Sequence, residues 1–341
     1  MTSPPTADAP RSPAPLARAG RRAFAVRLGL FLTLLVAVDH LVAAALLWGL
    51  RRYYGMDRPA RILCVGHSRT VLGVDTARLS AALGQPVAKY AMDGVNTYDR
   101  GVMVRHFLRM HPEVRLVLYD VESTSFTTAK LSENSYRLLL PFLEDPDIRV
   151  HVRRQCGSLP RYWAWNVLRT SRYDEATVNR AVRGWFRYDE NLKRGTFDAE
   201  RLRQRIAAGY SQPVRVDADN KAAFEATLEF IREKGCCVVL WHPPTVDLLD
   251  DIDHDAREAV RSYFRGMAER HPGVAYLEYV KPYRSAHDLF YDALHVNPKG
   301  REVVTSRLAQ DIRALPCYEE LSLPRRGAIP PRGPNPAPAV R

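Results

Sequence analysis

Five short apolar runs, each followed by a stretch of helical periodicity, constrain this chain more than any other feature. They are Arg61 to Val65 (RILCV), Val87 to Ala91, Val114 to Val121 (VRLVLYDV), Cys236 to Trp241 (CCVVLW) and Val274 to Tyr279. A strand with one face in water alternates apolar and polar residues. These runs are apolar nearly throughout, so both faces of the sheet must be covered. Helical periodicity follows at Thr76–Leu83, Thr97–Met110, Asn220–Lys234, Asp255–Arg270 and Asn297–Leu315. The alternation predicts an α/β fold over residues 59–315. It is a flavodoxin-like three-layer sandwich whose five-stranded parallel sheet has the order 2-1-3-4-5. Ligands of such sheets sit at the carboxyl ends of the strands, where strand order reverses.

Three regions fall outside that pattern. Residues 1–22 and 316–341 are Pro/Ala-rich and are expected to be disordered tails. Residues 23–50 (AFAVRLGLFLTLLVAVDHLVAAALLWGL) are expected to form an uncleaved transmembrane helix, with Leu28 to Leu50 as the crossing segment. Asp39 and His40 then lie near its middle, where ionisable groups need a partner; a contact with another membrane protein is one reading. Val42-Ala43-Ala44 also fits a signal-peptide cleavage site, but the apolar sequence resumes through Trp48. Arginines before and after the span favour a cytoplasmic N-terminus and a main domain outside the cytoplasm.

The third region is an insertion, about 123–213, between the third and fourth strands. From Arg149 to Arg205 it carries 14 Lys/Arg against 6 Asp/Glu, interleaved with Tyr162, Trp163, Trp165, Tyr173, Trp185 and Phe186. It reads as a helical cap with inward-packed aromatics, or as a cover that offers aromatic platforms and positive charge to a substrate. Net charge over the whole chain is +12. Anionic lipid or an acidic polymer could account for that excess. Nucleic acid is the weakest candidate, because the cations form no single run and no zinc-finger or RNA-binding signature is present. Five cysteines with no ligand spacing predict neither a disulfide framework nor a metal site, and no cofactor motif is present.

Chemistry is concentrated in two short stretches. The first strand leads into GHSRT, which places Ser68 just before a helix whose first amides can receive an oxyanion. Ser68 or Thr70 could equally cap that turn. Late in the chain comes FYDALHVNPKG, with Asp292 three residues before His295. A turn needs Asn, Pro and Gly, but it does not need an acid–imidazole pair. Together the stretches supply a nucleophile, a base and an orienting acid. His242, in WHPPT after the fourth strand, competes as the base, with Asp247 nearby in sequence; Asp288 is either a second carboxylate or a turn or helix-cap residue.

These motifs resemble those of the SGNH (GDSL-like) hydrolase superfamily over about Arg61 to Leu315. GHSRT is similar to its first block, YAMDGVN to its second and YDALHVNPKG to its last. The resemblance implies Ser68 as nucleophile, His295 as base and Asp292 as its acid. The Ser68 and Gly94 amides would form the oxyanion hole, and His67, Arg69 and His242 would line the site. The third block departs from the family: strand three ends in LYDVESTSF, without the asparagine that donates to the oxyanion. Asp120 and Glu122 cannot replace that donor when ionised, and Asn96 is the substitute the sequence offers.

The pattern is most similar to the membrane-anchored bacterial branch that includes alginate O-acetyltransferase proteins and the D-alanyl-transfer protein of teichoic acid synthesis. It implies a serine acyl-ester hydrolase or O-acyltransferase acting on acylated cell-surface glycan, with the lipid bilayer and an integral membrane acyl-transfer protein as partners. The alternative is a catalytically weak or inactive scaffold subunit of a polysaccharide-modification complex.

Overall fold

Five parallel strands form one sheet in the order β2-β1-β3-β4-β5, the order expected. They are β1 Ile62–Gly66, β2 Val87–Ala91, β3 Leu116–Asp120, β4 Cys237–His242 and β5 Val274–Glu278. The computed structural model describes residues 15–127, 134–188 and 190–322. Alternate residues of each strand point to opposite faces, as the period-two pleat requires. Ile62, Cys64, Leu116, Leu118 and Trp241 pack in one apolar layer with Leu79 and Leu308. Leu63, Val65, Val117, Tyr119 and Leu240 pack in the other with Phe107, Phe224 and Phe264. Both faces are therefore dry, which is why the strands read as continuous apolar runs.

In chain order the helices begin with α1 Pro15–Tyr53, α2 Ser68–Gly73, α3 Thr76–Leu83 and α4 Thr97–Met110. The insertion holds α5 Pro146–Gln155, α6 Leu159–Val167, α7 Glu175–Trp185 and α8 Ala199–Ala207, with a 3-10 turn Arg169–Arg172 between α6 and α7. Then come α9 Ala218–Glu233, α10 Asp247–Asp250, α11 His254–Arg270, α12 Val280–Tyr283 and α13 Pro298–Arg313. Their starts are set by side-chain caps. Asn96 and Asp99 form a capping box on α4, and the Asn297 side chain accepts from the Gly300 amide at the head of α13.

Both tails differ in part from expectation. Residues 15–22 are not a disordered lead-in; they already belong to α1. At the other end Pro316–Ser322 form a 3-10 turn that buries Leu321 against the α3/α13 layer. Residues 1–14 and 323–341, the rest of the expected disordered tails, lie outside the described residues.

Within α1, Arg22–Tyr53 is long and apolar enough to cross a membrane, with a mean hydropathy of 2.3. Exposure divides it into two parts. Ala23 to Val38 is exposed all round, and from Asp39 onward one face is buried. The Asp39 carboxylate accepts from the backbone amides of Arg169 (2.7 Å) and Thr170 (3.0 Å) and from the Thr170 hydroxyl. The partner of Asp39 is thus this chain's own insertion, and the group sits where the helix leaves its exposed segment. Tyr173 Oη donates to the Ala43 carbonyl (2.9 Å) and Trp185 Nε1 to that of Ala45 (3.0 Å).

Backbone contact locks α1 to α7. A Cβ on Gly184 would lie 1.9 Å from the Gly49 carbonyl oxygen, and one on Gly49 would lie 2.2 Å from the carbonyl oxygen of Ala181. Neither neighbour is a flexible side chain that could swing away. Gly184→Ala is therefore expected to destabilise the protein by about 1–3 kcal/mol, the usual cost of overpacking. Thermal melting in detergent measures it; an unchanged midpoint would mean that the two backbones do not touch.

Candidate active site

Ser68 is the first residue of α2, directly beyond the carboxyl end of β1. The Thr70 and Asp120 side chains leave no room for a side chain at residue 66. A Cβ on Gly66 would sit 1.9 Å from Thr70 Oγ1 and 2.6 Å from Asp120 Cβ. Ser68 Oγ lies 2.8 Å from His295 Nε2. His295 Nδ1 lies 2.9 Å from both carboxylate oxygens of Asp292. With the proton on Nδ1 the ring donates to Asp292 and accepts from Ser68, the arrangement a serine nucleophile needs.

The last motif follows from local geometry. Asp292 Oδ1 also accepts from the Leu294 and His295 amides, at 2.9 Å each, so the acid closes the turn that presents its own histidine. Asn297 Nδ2 donates to the Asp288 carbonyl (2.8 Å) while its oxygen caps α13. Pro298 occupies the first turn of α13, where its missing N–H costs nothing. Gly300 admits the Leu289 carbonyl, which would stand 2.0 Å from a Cβ. Asn297, Pro298 and Gly300 of NPKG thus each have a steric or hydrogen-bonding duty, and Lys299 pairs with Asp288. Burial raises the Asp292 carboxyl, but the His295 hydrogen bond and charge outweigh it and hold Asp292 below its ordinary value.

Ser68 and His295 open into a cavity of about 690 Å³. Val71, Leu72 and Asp93 complete its sheet-side wall; Arg183, Tyr188 and the stretch from Glu190 to Arg194 close it from the insertion. Arg180 ties the two walls together through Asp93 (2.9 Å). The insertion therefore covers the site, as one reading of its composition anticipated. The aromatics singled out for that purpose do something else. Tyr162 and Trp165 are buried, Tyr173 and Trp185 bond α1, Trp163 and Phe186 face outward, and none lines the cavity. Tyr188, Arg183 and Asn191 of the wall were not singled out from the sequence. Only the general interleaving of aromatic and basic residues pointed toward them.

Three residues expected to line the site are not among those that line the cavity. Arg69 is buried, its Nε 3.2 Å from Glu122 and its guanidinium donating to Thr245 Oγ1 (3.0 Å). His67 stands 3.4 Å from Glu122 and 3.7 Å from Asp120. His242 is 1 % exposed and pairs with the Tyr276 hydroxyl at 2.9 Å. Burial, then Arg69 and Arg261, push it well below the ordinary histidine value. Asp247, the acid nearest to it in sequence, pairs with His287 at 2.7 Å. His242 therefore has neither the acid nor the access a base requires. Asp288 is held by Lys299.

Two backbone amides are candidates for the oxyanion site, but the expected side-chain substitute does not fit. Ser68, in the first turn of α2, has an amide without an intrahelical acceptor. Gly94 follows Asp93 of the cavity wall and has φ +77°, a left-handed turn that glycine adopts freely. Asn96, in contrast, spends its oxygen on the Asp99 amide (2.9 Å) and its NH₂ on Ser135 Oγ (3.2 Å). It starts α4 and is not on the cavity wall. Where the third block would place a donor, Asp120 accepts from Thr70 Oγ1 (2.8 Å) and Glu122 faces His67 and Arg69.

Burial disfavours charge on His67, yet Asp120 and Glu122 outweigh it and hold His67 above its ordinary 6.5. Burial likewise raises Glu122, but His67 and Arg69 draw it well below 4.5. The depressed Glu122 contributes stability that is present above pH 4.5 and lost as pH falls through its folded value. The raised His67 contributes stability that is complete below pH 6.5 and lost as pH rises through its folded value. Glu122→Gln is expected to cost about 3 kcal/mol, the lower end for breaking a buried pair. The loss should be largest between those limits and shrink toward strong acid. Melting curves from about pH 3 to about pH 8 test this; a variant that melts with wild type throughout would show the cluster to be inert.

No protein-family model matches the chain, and no curated protein matches it. Among solved structures it is similar to a Bacteroides fragilis protein described as an acylhydrolase: 12% identity, TM-score 0.40, covering 80% of this chain and 96% of that one. It is also similar to a GDSL-like lipase of Bacteroides thetaiotaomicron: 10% identity, TM-score 0.40, covering 78% of this chain and 98% of that one.

Proposed function

We propose that this chain is a membrane-anchored serine acyl-ester hydrolase or O-acyltransferase that acts outside the cytoplasm on acylated cell-surface glycan. The observation that carries the reading is the hydrogen-bonded series Ser68–His295–Asp292 opening into the cavity. Ser68 attacks the acyl carbon as His295 Nε2 takes its proton. Asp292 keeps the other ring proton on Nδ1 and stabilises the imidazolium. The Ser68 and Gly94 amides receive the oxyanion, and His295 returns its proton to the leaving alkoxide. Water or a sugar hydroxyl then takes the acyl group from Ser68.

The length of α1 supports a substrate that stands away from the bilayer. A span of about 30 Å takes about 20 helical residues, which Arg22 to Leu41 supplies. The further rise from Leu41 to Tyr53 is about 18 Å. Tyr53 Oη is hydrogen-bonded to Asn191 of the cavity wall. A cavity at that height is suited to a chain displayed beyond the headgroups, and not to esters within the lipid tails. Arg183, Lys193 and Arg194, against Asp93 and Glu190, suit an acidic glycan. An integral membrane protein that hands over the acyl group fits the same placement.

A scaffold without turnover is the second reading, favoured by the acidic pair that replaces the third-block donor. A serine-directed fluorophosphonate separates the two. We expect labelling of the folded wild type in detergent and none of Ser68→Ala. Well-folded wild type that stays unlabelled would overturn the enzymatic reading.

A further inference from the structure

We propose that α6 of the insertion lies in the membrane interface, so that the protein holds the bilayer by a second element besides α1. The inference rests on the reading of α1 as a membrane span. Leu159, Trp163 and Val167 recur every fourth residue of α6 and are 60%, 63% and 59% exposed, with Leu168 continuing the stripe. Tyr162 and Trp165, on the opposite side, are buried. This helix has thus already packed one face into the protein and leaves a second apolar face largely exposed, where Trp163 meets the Tyr162 ring edge-on.

The position of that face identifies what covers it. The stripe ends at Leu168, and the next two backbone amides, Arg169 and Thr170, bond Asp39. Asp39 is the residue at which α1 passes from all-round exposure to protein contact. The apolar face of α6 therefore stands at the level where α1 would leave the hydrocarbon, continuous with a surface that requires lipid. Charge agrees: between Asp147 and Asp174 there are six arginines and no acidic residue. An amphipathic helix with an exposed tryptophan and flanking arginines is the composition that seats itself among headgroups, attracted by anionic lipid.

The experiment uses the full chain in nanodiscs of phosphatidylcholine and phosphatidylglycerol, with and without brominated acyl chains. The emission of Trp163 is obtained as the difference between wild type and Trp163→Phe. We expect brominated lipid to remove most of that difference emission and aqueous iodide to leave it nearly intact. Quenching by iodide alone would put α6 in water. Protection from both quenchers would put a second copy or another protein over the face. Either result overturns the proposal. Leu159→Asp/Val167→Asp should melt in detergent as wild type and label equally with fluorophosphonate, yet lose the lipid quenching. The readout needs no turnover, so failure of the Ser68 chemistry and failure of this inference are separate outcomes. Labelled protein without lipid quenching would sink only the interface, and unlabelled protein with lipid quenching only the enzyme.

Discussion

Ser68→Ala is expected to lower turnover of an acyl ester by roughly 10³- to 10⁶-fold while leaving the fold intact. The Ser68 hydroxyl is bonded to His295 and sits on the cavity wall, so its removal costs the fold about 1 kcal/mol at most. Its removal costs the reaction the covalent step. His295→Ala should fall in the same range, and the double variant should be little worse than either single one, because the two groups act as a unit. Multiplicative losses would mean that they serve separate steps. Residual turnover near wild type in Ser68→Ala would place the nucleophile elsewhere. Thermal melting recorded beside the kinetics separates a lost reaction from a lost fold.

The sheet was legible because its signal is a bulk one. Burial on both faces leaves no room for polar residues, so the five strands and the helices between them were placed within a few residues. The last motif was legible for the opposite reason. Its Asp, His, Asn, Pro and Gly each answer a local constraint, and local constraints are written in adjacent residues. What could not be read is contact between distant segments. Asp39 finds its partners 130 residues away, in Arg169 and Thr170. Nothing in the apolar pattern around Asp39 says that the helix meets protein there. The same holds for Tyr173 and Trp185: an aromatic residue in a basic segment suits a substrate platform and a helix–helix contact alike. His242 misled for a related reason. A histidine ending a strand is placed correctly for catalysis by topology alone, and only burial and the Tyr276 hydroxyl exclude it. Asn96 stood two residues from Gly94, but that proximity did not say whether its amide turns toward the cavity or toward the α4 capping box.

Asp292→Asn should separate orientation from nucleophilicity. An asparagine there loses the charge that stabilises the imidazolium, and its NH₂ can present a hydrogen to Nδ1, which favours the wrong tautomer. In a serine-protease triad that change costs about four orders of magnitude. The geometry here argues for less. Oδ1 alone accepts from the Leu294 amide, the His295 amide and His295 Nδ1. An asparagine oxygen at that position keeps both backbone bonds and still offers Nδ1 an acceptor. The Asp292 side chain is also 45% exposed, so water screens the charge being removed. A loss of about 10- to 1,000-fold is therefore expected, smaller than for Ser68→Ala. Melting should change little, because the turn keeps its two amide bonds. Asp292→Ala, which removes those bonds as well, should melt lower. Asp292 is held below its ordinary value, so it stays ionised beside His295 above that value and loses its charge only as pH falls through the depressed one. If Asp292→Asn kept full activity at every pH while Asp288→Asn abolished it, the acid of this site would have to be reassigned.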